Sequence, residues 1–440
     1  MRRAGGGHAR GGGIPEVILE RKTGLLVPPE DHVALAAAMT SLLKDRAWAS
    51  ELAKANRRRI ETVYPVSRMI AETLEVYQEA TERLRILVMK LSASGDVVLA
   101  TPSIRALRQR FPRAHITVLT SRENRDLLNR CPYLDDLVVF DRARDGTFPG
   151  LLRLGRRLRA AEVDLVVDFQ NSRISHWLGW LSGAPQRYGY AGRRWSGLLT
   201  HRALHPAGPM PPVEHQFHLL KLLGIEGAPT HLELWPGPSD ERGVDSLLGQ
   251  AWIAESQPLV AVHPGARWAS KRWPEERYAE LVDRLAAAAK ARVVLTGSEG
   301  ERPLCERIHH LAKAKPVVAA GQTTLNEMAA LLRRCRLFIG GDTAPLHIAA
   351  AVGTPLVAIF GPTDPVRHLP PSRETKLFRS KIPCSPCYRA RCPRPGSGRM
   401  ECMRLISVEE VAEAALSYLR AVSAPLAGIG HPVPHKEAQA

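Results

Sequence analysis

Two stretches of this 440-residue chain place charged side chains at the ends of apolar runs, where chemistry on an anionic substrate becomes feasible. In residues 338–365 an apolar strand meets Gly340-Gly341, a helix starts at about Thr343 and carries His347, and a second strand covers 355–360. Asp342 stands at the expected helix N-cap, Pro345 in the first turn and Gly353 at the C′ position. A helix start of this kind points free N–H groups and a positive dipole end at the carboxyl edge of a parallel sheet, which suits an anionic ligand. The other stretch, residues 263–274, leaves a strand through His263-Pro264-Gly265-Ala266 and enters a helix at Glu275. Gly265 and Ala266 admit close backbone approach, and Lys271 with Arg272 brings cations to the same edge, a combination suited to a diphosphate. The competing reading is a surface loop whose tryptophans pack on a neighbour.

Three further groups of residues invite a chemical reading. Glu299 and Glu301 lie in a strand-to-helix turn, where a carboxylate either binds ribose hydroxyls or merely partners a helix dipole. Asp96 closes the turn Ser92-Ala93-Ser94-Gly95-Asp96 after a buried-type strand at 85–91. Propensity favours a helix N-cap there, while the position at a strand's carboxyl end suits a base that removes a proton from an acceptor hydroxyl. Cys384, Cys387, Cys392 and Cys402 form C-x2-C-x4-C-x9-C in a Pro- and Arg-rich loop, a spacing compatible with structural zinc or iron, with reduced thiols or with a redox bridge. That loop has no part in the chemistry just described.

The elements needed to position these groups read as two α/β series. Strands are expected at 85–91, 115–119, 137–140 and 163–169, with helices between them, one of them from Val97 to Arg110. A second series follows at 259–263, 292–296, 336–339 and 355–360. The domain boundaries that follow are an extension over 1–84, a first doubly wound domain over 85–224, a Gly- and Pro-interrupted linker with a short helix over 225–257, a second domain over 258–422 ending in a helix from 407, and a mobile tail over 423–440. Residues 1–13, mostly Gly and Arg, are expected to be disordered.

Composition limits what such a chain does. Hydrophobic residues make up 45% and charged residues 24%, as in ordinary soluble proteins, but the net charge of +17 implies attraction to something anionic or a strongly solvated basic surface. The best apolar run is interrupted by Asp342 and His347, and the basic start lacks an apolar signal region, so a cytoplasmic protein is expected. Seven cysteines, four of them crowded together, do not suggest a secreted disulfide scaffold. Nucleic-acid binding would also explain the charge, but an aromatic content of 5% and no recognisable module argue against it. A dinucleotide oxidoreductase lacks its Gly-x-Gly-x-x-Gly turn after the first strand.

Four motifs in order carry a resemblance over residues 85–422: Lys90-Leu91-Ser92-Ala93-Ser94-Gly95-Asp96-Val97-Val98, His263-Pro264-Gly265 with Lys271-Arg272-Trp273-Pro274, Gly341-Asp342-Thr343-Ala344-Pro345-Leu346-His347, and Phe360-Gly361-Pro362-Thr363-Asp364-Pro365. This region resembles glycosyltransferase family 9, the lipopolysaccharide heptosyltransferase family. The resemblance implies an α/β fold of GT-B type, two Rossmann-like doubly wound domains facing a cleft, with acceptor on the first and nucleotide-sugar on the second. It implies inverting transfer that needs no metal, with Asp96 as general base and Lys271 neutralising the departing nucleoside diphosphate. Thr343, Ala344 and His347 would hold the diphosphate, Asp342 would sit by the sugar, and Glu301 or else Glu299 would take the ribose. Some family members carry Gly where this chain has Ala344, a difference of one methyl group. Residues 13–82, through Gly13-Ile14-Pro15-Glu16-Val17-Ile18 and Thr23-Gly24-Leu25-Leu26-Val27-Pro28-Pro29, resemble the C-terminal end of a family 4 glycosyltransferase without its paired glutamates, and imply a remnant with no working site.

The function so implied is transfer of heptose from ADP-heptose to the lipopolysaccharide inner core. The partners are that donor, a phosphorylated glycolipid acceptor and the inner-membrane surface, touched peripherally by a basic face, with no nucleic acid. The alternative within the class is another nucleotide-sugar or a non-lipopolysaccharide acceptor.

Overall fold

The computed structural model describes residues 13–421 apart from 83, 193 and 252–256. The start expected to be disordered, up to residue 12, and the tail expected to be mobile lie outside the described residues. The chain divides into two compact units, one ending at Glu82 and the other beginning at Arg83.

The first unit is helical. Its helices His32–Lys44 and Arg46–Val63 are capped by Asp31 and Asp45, whose carboxylates accept from Ala34 N (2.8 Å) and Trp48 N (2.9 Å). Arg59 and Tyr64 both donate to the Glu16 carbonyl, at 2.9 and 2.8 Å, and so tie the short helix Ile14–Val17 to the helix Arg46–Val63 and its end. Helix Val66–Glu82 completes the unit.

The second unit holds two six-stranded parallel sheets. The first contains β1 (Arg85–Met89), β2 (His115–Ser121), β3 (Asp136–Phe140), β4 (Leu165–Asp168), β5 (Gln186–Tyr190) and β6 (His201–Ala203), in the order β3-β2-β1-β4-β5-β6. The second contains β7 (Leu259–His263), β8 (Arg292–Leu295), β9 (Val317–Val318), β10 (Leu337–Gly341), β11 (Leu356–Phe360) and β12 (Thr375–Arg379), in the order β12-β11-β10-β7-β8-β9. Read from β9 to β12, this is the same topology as the first sheet, the order of a doubly wound dinucleotide-type fold. The chain reverses direction across each sheet at one place, between β1 and β4 and between β7 and β10. All five residues of β7, β10 and β11 are buried, which is why their sequences are almost wholly apolar.

Strands β5, β6, β9 and β12 are not foreshadowed by apolar runs. β6, β9 and β12 are edge strands and β5 lies beside one; all four are short or half-exposed, and sequences such as Gln186-Arg187-Tyr188-Gly189-Tyr190 and Thr375-Lys376-Leu377-Phe378-Arg379 carry polar residues accordingly. The described part of the connection between the sheets, residues 225–251, packs more fully than its Gly and Pro content suggests. Ile225, Leu232, Leu234 and Val244 are buried, and its helix Pro238–Gln250 runs for 13 residues. Arg105 enters this segment, donating to the Pro229 and His231 carbonyls (2.6 and 3.1 Å) and to Glu233.

Candidate active site

On the second sheet the switch point lies between His263 at the end of β7 and Gly341 at the end of β10. The expectation that Asp342 caps the following helix is not met. Helix Ala344–Ala351 has Thr343 at its N-cap, and the Thr343 hydroxyl donates to the Gly341 carbonyl (3.3 Å). The Asp342 carboxylate turns instead to Lys271, whose Nζ is 2.6 Å from Oδ2 and 3.3 Å from the Asp342 carbonyl. Burial alone would raise the Asp342 carboxyl, but the Lys271 charge and hydrogen bond hold it below the usual carboxylate range. Lys271 also lies over the Trp268 ring, 4.8 Å from its centroid. Arg272 does not join it: the guanidinium donates twice to the Ala266 carbonyl (3.0 and 2.9 Å), pinning the loop rather than facing a ligand.

The helix behind this pair starts with Ala344, whose N–H has no acceptor one turn earlier, and with Pro345, which has no N–H. His347 stands one turn in, 6% exposed, and its Nδ1 makes no hydrogen bond among the described residues. Burial pushes this imidazole down, so it is neutral near pH 7, while Asp342 and Asp96 pull the other way.

Glu301 is at the third position after Ser298 and accepts from its N–H (2.8 Å) and hydroxyl (2.9 Å). Its carboxylate lies against Gly265, where a β-carbon would come within 2.2 Å of Oε1. A side chain at position 265 would displace the Glu301 carboxylate from this place. Burial would raise Glu301, yet His263 and the Ser298 bonds hold it low. Glu299 lies elsewhere, its carboxylate against Gly321. Of the two, Glu301 faces the β7 edge.

On the first sheet, β1 ends at Met89 and delivers Lys90 and the loop carrying Asp96. Asp96 is not an N-cap. Helix Ser94–Val98 begins three residues earlier than the sequence suggests, Ala93 holds the cap position, and Asp96 is the third helical residue, with Oδ2 accepting from Ala93 N (3.2 Å). Lys90 Nζ is 3.6 Å from the same carboxylate, whose side chain is 52% exposed and so open to a substrate. Gln170 holds the loop from the other side: Oε1 accepts from Leu91 N (2.9 Å) and Ser92 N (3.0 Å), and Nε2 donates to Ser92 Oγ (3.4 Å). Beneath it Asp168 accepts from Gln170 N and Asn171 N, both at 2.9 Å. Burial pushes the Asp168 carboxyl up to about 6 against these bonds. The roles of Lys90 and Gln170 were not foreseen. Lys90, a cation ending a buried strand, was a readable signal; Gln170 left none.

The two halves meet at helices Ser94–Val98 and Ala344–Ala351, with Gly95 against His347. Beside this contact is a cavity of about 580 Å³, with Lys90, Asp96 and Gln170 from the first half and Arg367, His368 and Tyr388 from the second in its walls.

The cysteine loop departs from expectation in one respect, its place beside the chemistry. Cys384, Cys387, Cys392 and Cys402 are all free, and among the described residues no group of three or more His, Cys, Asp or Glu is disposed to hold a metal ion. Arg394 Nη1 is 3.7 Å from Cys384 Sγ, Met400 N donates to Cys392 Sγ (3.3 Å), and Cys402 is buried against Gly361, its thiol pushed up to about 11 by burial and by the neighbouring Cys387, Cys384 and Cys392. The loop is not remote from the chemistry. The Ser270 hydroxyl donates to the Arg389 carbonyl (2.5 Å) and Ser270 N to that of Ala390 (3.3 Å), bracing the turn that carries Lys271, while Pro386 and Tyr388 wall the cavity.

Two Rossmann-like lobes with a cavity at their meeting edges define a glycosyltransferase of GT-B architecture. Residues 151–397 match the model of glycosyltransferase family 9 (heptosyltransferase), and the chain belongs to that family and is a glycosyltransferase. It is 30% identical over 307 residues to lipopolysaccharide heptosyltransferase 2 of Escherichia coli K12, covering 67% of this chain and 88% of that protein. Among solved structures it is similar to a family 9 glycosyltransferase from Veillonella parvula (TM-score 0.70, 24% identity, 77% of this chain and 98% of that one). It is also similar to the E. coli ADP-heptose lipopolysaccharide heptosyltransferase II (TM-score 0.64, 25% identity, 78% and 100%).

Proposed function

We propose that the chain transfers heptose from ADP-heptose to a hydroxyl of a phosphorylated lipopolysaccharide inner-core glycolipid, with inversion at the anomeric carbon. Asp96 takes the proton of the acceptor hydroxyl as its oxygen bonds to the anomeric carbon. On the opposite face the bond from that carbon to the diphosphate breaks, and ADP leaves with the electron pair. Lys271, the Ala344 N–H and the unpaired Nδ1 of His347 receive the charge that develops on the leaving group. Thr343 lines the same helix start, Asp342 holds Lys271 beside the sugar, Gly265 and Ala266 let the β7 loop approach the nucleotide, and Glu301 takes the ribose hydroxyls.

The observation that carries this reading is the opposition, across one lobe contact, of an accessible carboxylate on the first sheet and a cation at a helix start on the second. The name of the E. coli relative supports heptose and lipopolysaccharide as the substrates. Among the described residues no helix is long and apolar enough to cross a membrane, and the net charge of +17 suits peripheral contact with an anionic lipid surface on its cytoplasmic side. Thermal unfolding with ADP, UDP and GDP tests the donor. ADP is expected to raise Tm most; selective stabilisation by UDP would overturn the assignment.

A further inference from the structure

One face of the first lobe, outside the cavity, has a chemical character that transfer itself does not use. Helix Arg173–Leu181 buries Ser175, His176, Leu178 and Gly179 and leaves Arg173, Trp177 and Trp180 along its outer side. Beside it, helix Phe148–Ala160 carries Phe148, Leu152, Arg156 and Arg159 on one stripe. Both ends of that stripe meet the neighbouring helix. The Phe148 ring is 6.2 Å from that of Trp177, and Arg159 Nε lies 3.3 Å from where a β-carbon on Gly183 would stand, just past the helix end. Trp177 in turn meets the Trp195 ring edge-on at 5.8 Å, and the Arg194 guanidinium lies 5.9 Å from the centre of that ring. Phe148 is 60% and Trp180 51% exposed, a contiguous apolar area left in water. The charge around these rings has one sign. Residues 146–161 carry four arginines and residues 169–213 five, and neither stretch has an Asp or Glu. The acids that precede them, Asp145 and Asp168, are buried. Arg156, Arg173 and Arg194 are exposed and make no ion pair among the described residues. Tryptophans set among unpaired arginines are the side chains that settle where lipid headgroups meet acyl chains. Their elements leave the carboxyl ends of β3, β4 and β5, the sheet edge that also delivers Asp96, and Asn171, two residues before Arg173, walls the cavity.

We propose that this face, Phe148, Trp177 and Trp180 with Arg156, Arg173 and Arg194, docks on an anionic phospholipid surface and so holds the cavity mouth at the membrane. The arginines meet lipid phosphates while the rings enter the headgroup layer. The inference rests on the reading of the acceptor as a membrane glycolipid, and it goes beyond that reading in assigning the contact to one face. Net charge alone would not choose a face. The anionic groups of the acceptor have no part in it.

The test is sedimentation of the full chain with vesicles of phosphatidylglycerol and phosphatidylcholine, free of acceptor. Wild type is expected to bind these and to leave pure phosphatidylcholine vesicles in comparison almost bare. Arg156→Gln with Arg173→Gln should weaken binding about thirtyfold, and Trp180→Ser about fivefold. A control pair, Arg373→Gln with Lys376→Gln, removes the same charge from exposed positions on the second lobe and should change binding by less than about twofold. Tm and ADP affinity should be unchanged in all of them, since every substituted residue is on the surface. Equal losses in the two double variants would mean that net charge binds without a face, and would overturn the proposal. Binding unchanged in both the arginine pair and Trp180→Ser would overturn it as well, as would failure of wild type to bind the anionic vesicles. Failure of the acceptor reading has a different signature: no transfer to the intact glycolipid, with vesicle binding and its loss in the variants as predicted.

Discussion

Gly95 lies so close to the imidazole of His347 that a β-carbon on Gly95 would stand 2.6 Å from Cδ2. This contact joins the helix that presents Asp96 to the helix that begins beside Lys271. Position 95 must therefore remain without a side chain for the lobes to meet as they do.

Gly95→Ala should push the two helices apart by the width of a methyl group. Transfer is expected to fall about a hundredfold, because misplacement by ~1 Å is costly in a site built on orientation. ADP affinity should be nearly unchanged. Measuring both in Gly95→Ala, His347→Ala and the double variant should give non-additive losses in transfer; strict additivity would mean that the two residues act separately.

Gln170→Leu removes the acceptor that holds Leu91 N and Ser92 N, leaving two N–H groups of the Asp96 loop without it. Stability is expected to drop by about 1–3 kcal/mol. A decrease in kcat larger than any change in donor KM should accompany it. Denaturant unfolding with steady-state kinetics reads both effects.

Lys271→Ala is expected to weaken ADP binding and to lower kcat by about a hundredfold, as removal of one preorganised charge-stabilising donor does elsewhere. A variant that binds ADP poorly yet turns over normally at saturation would confine Lys271 to ground-state binding.

Asp168 gives a pH signature. Its carboxyl is raised to about 6 by burial, so the folded state holds this proton more tightly than the unfolded chain does. The stability it contributes is present below the unfolded value of about 4 and is lost as pH rises through about 6. Asp168→Asn should flatten the stability profile over that window by on the order of 2 kcal/mol. Unfolding midpoints at pH 4.5 and 7.5 for both proteins would show it; parallel profiles would contradict it.

Buried runs such as Leu259-Val260-Ala261-Val262-His263 were legible because a strand covered on both faces has to be apolar throughout. Strands β5, β6, β9 and β12 were not, since their half-exposed residues keep no such pattern. Helix starts were legible only approximately. Asp342 and Asp96 look like caps by type and position, but one is drawn to a lysine 71 residues away and the other sits inside its helix. Gln170 reaches a loop 78 and 79 residues earlier, a contact that no local spacing encodes. The cysteines show the converse. Their spacing suits a metal, but the described residues do not bring them into a ligand group.

As the proposed base, Asp96 belongs to the acceptor half alone. Asp96→Asn keeps the size of the side chain and removes its proton affinity. Transfer and ADP binding should be measured on the same preparation. Loss of transfer by about a thousandfold or more, with ADP affinity within about twofold of wild type, is the expected result. Near wild-type turnover by Asp96→Asn would contradict the assignment.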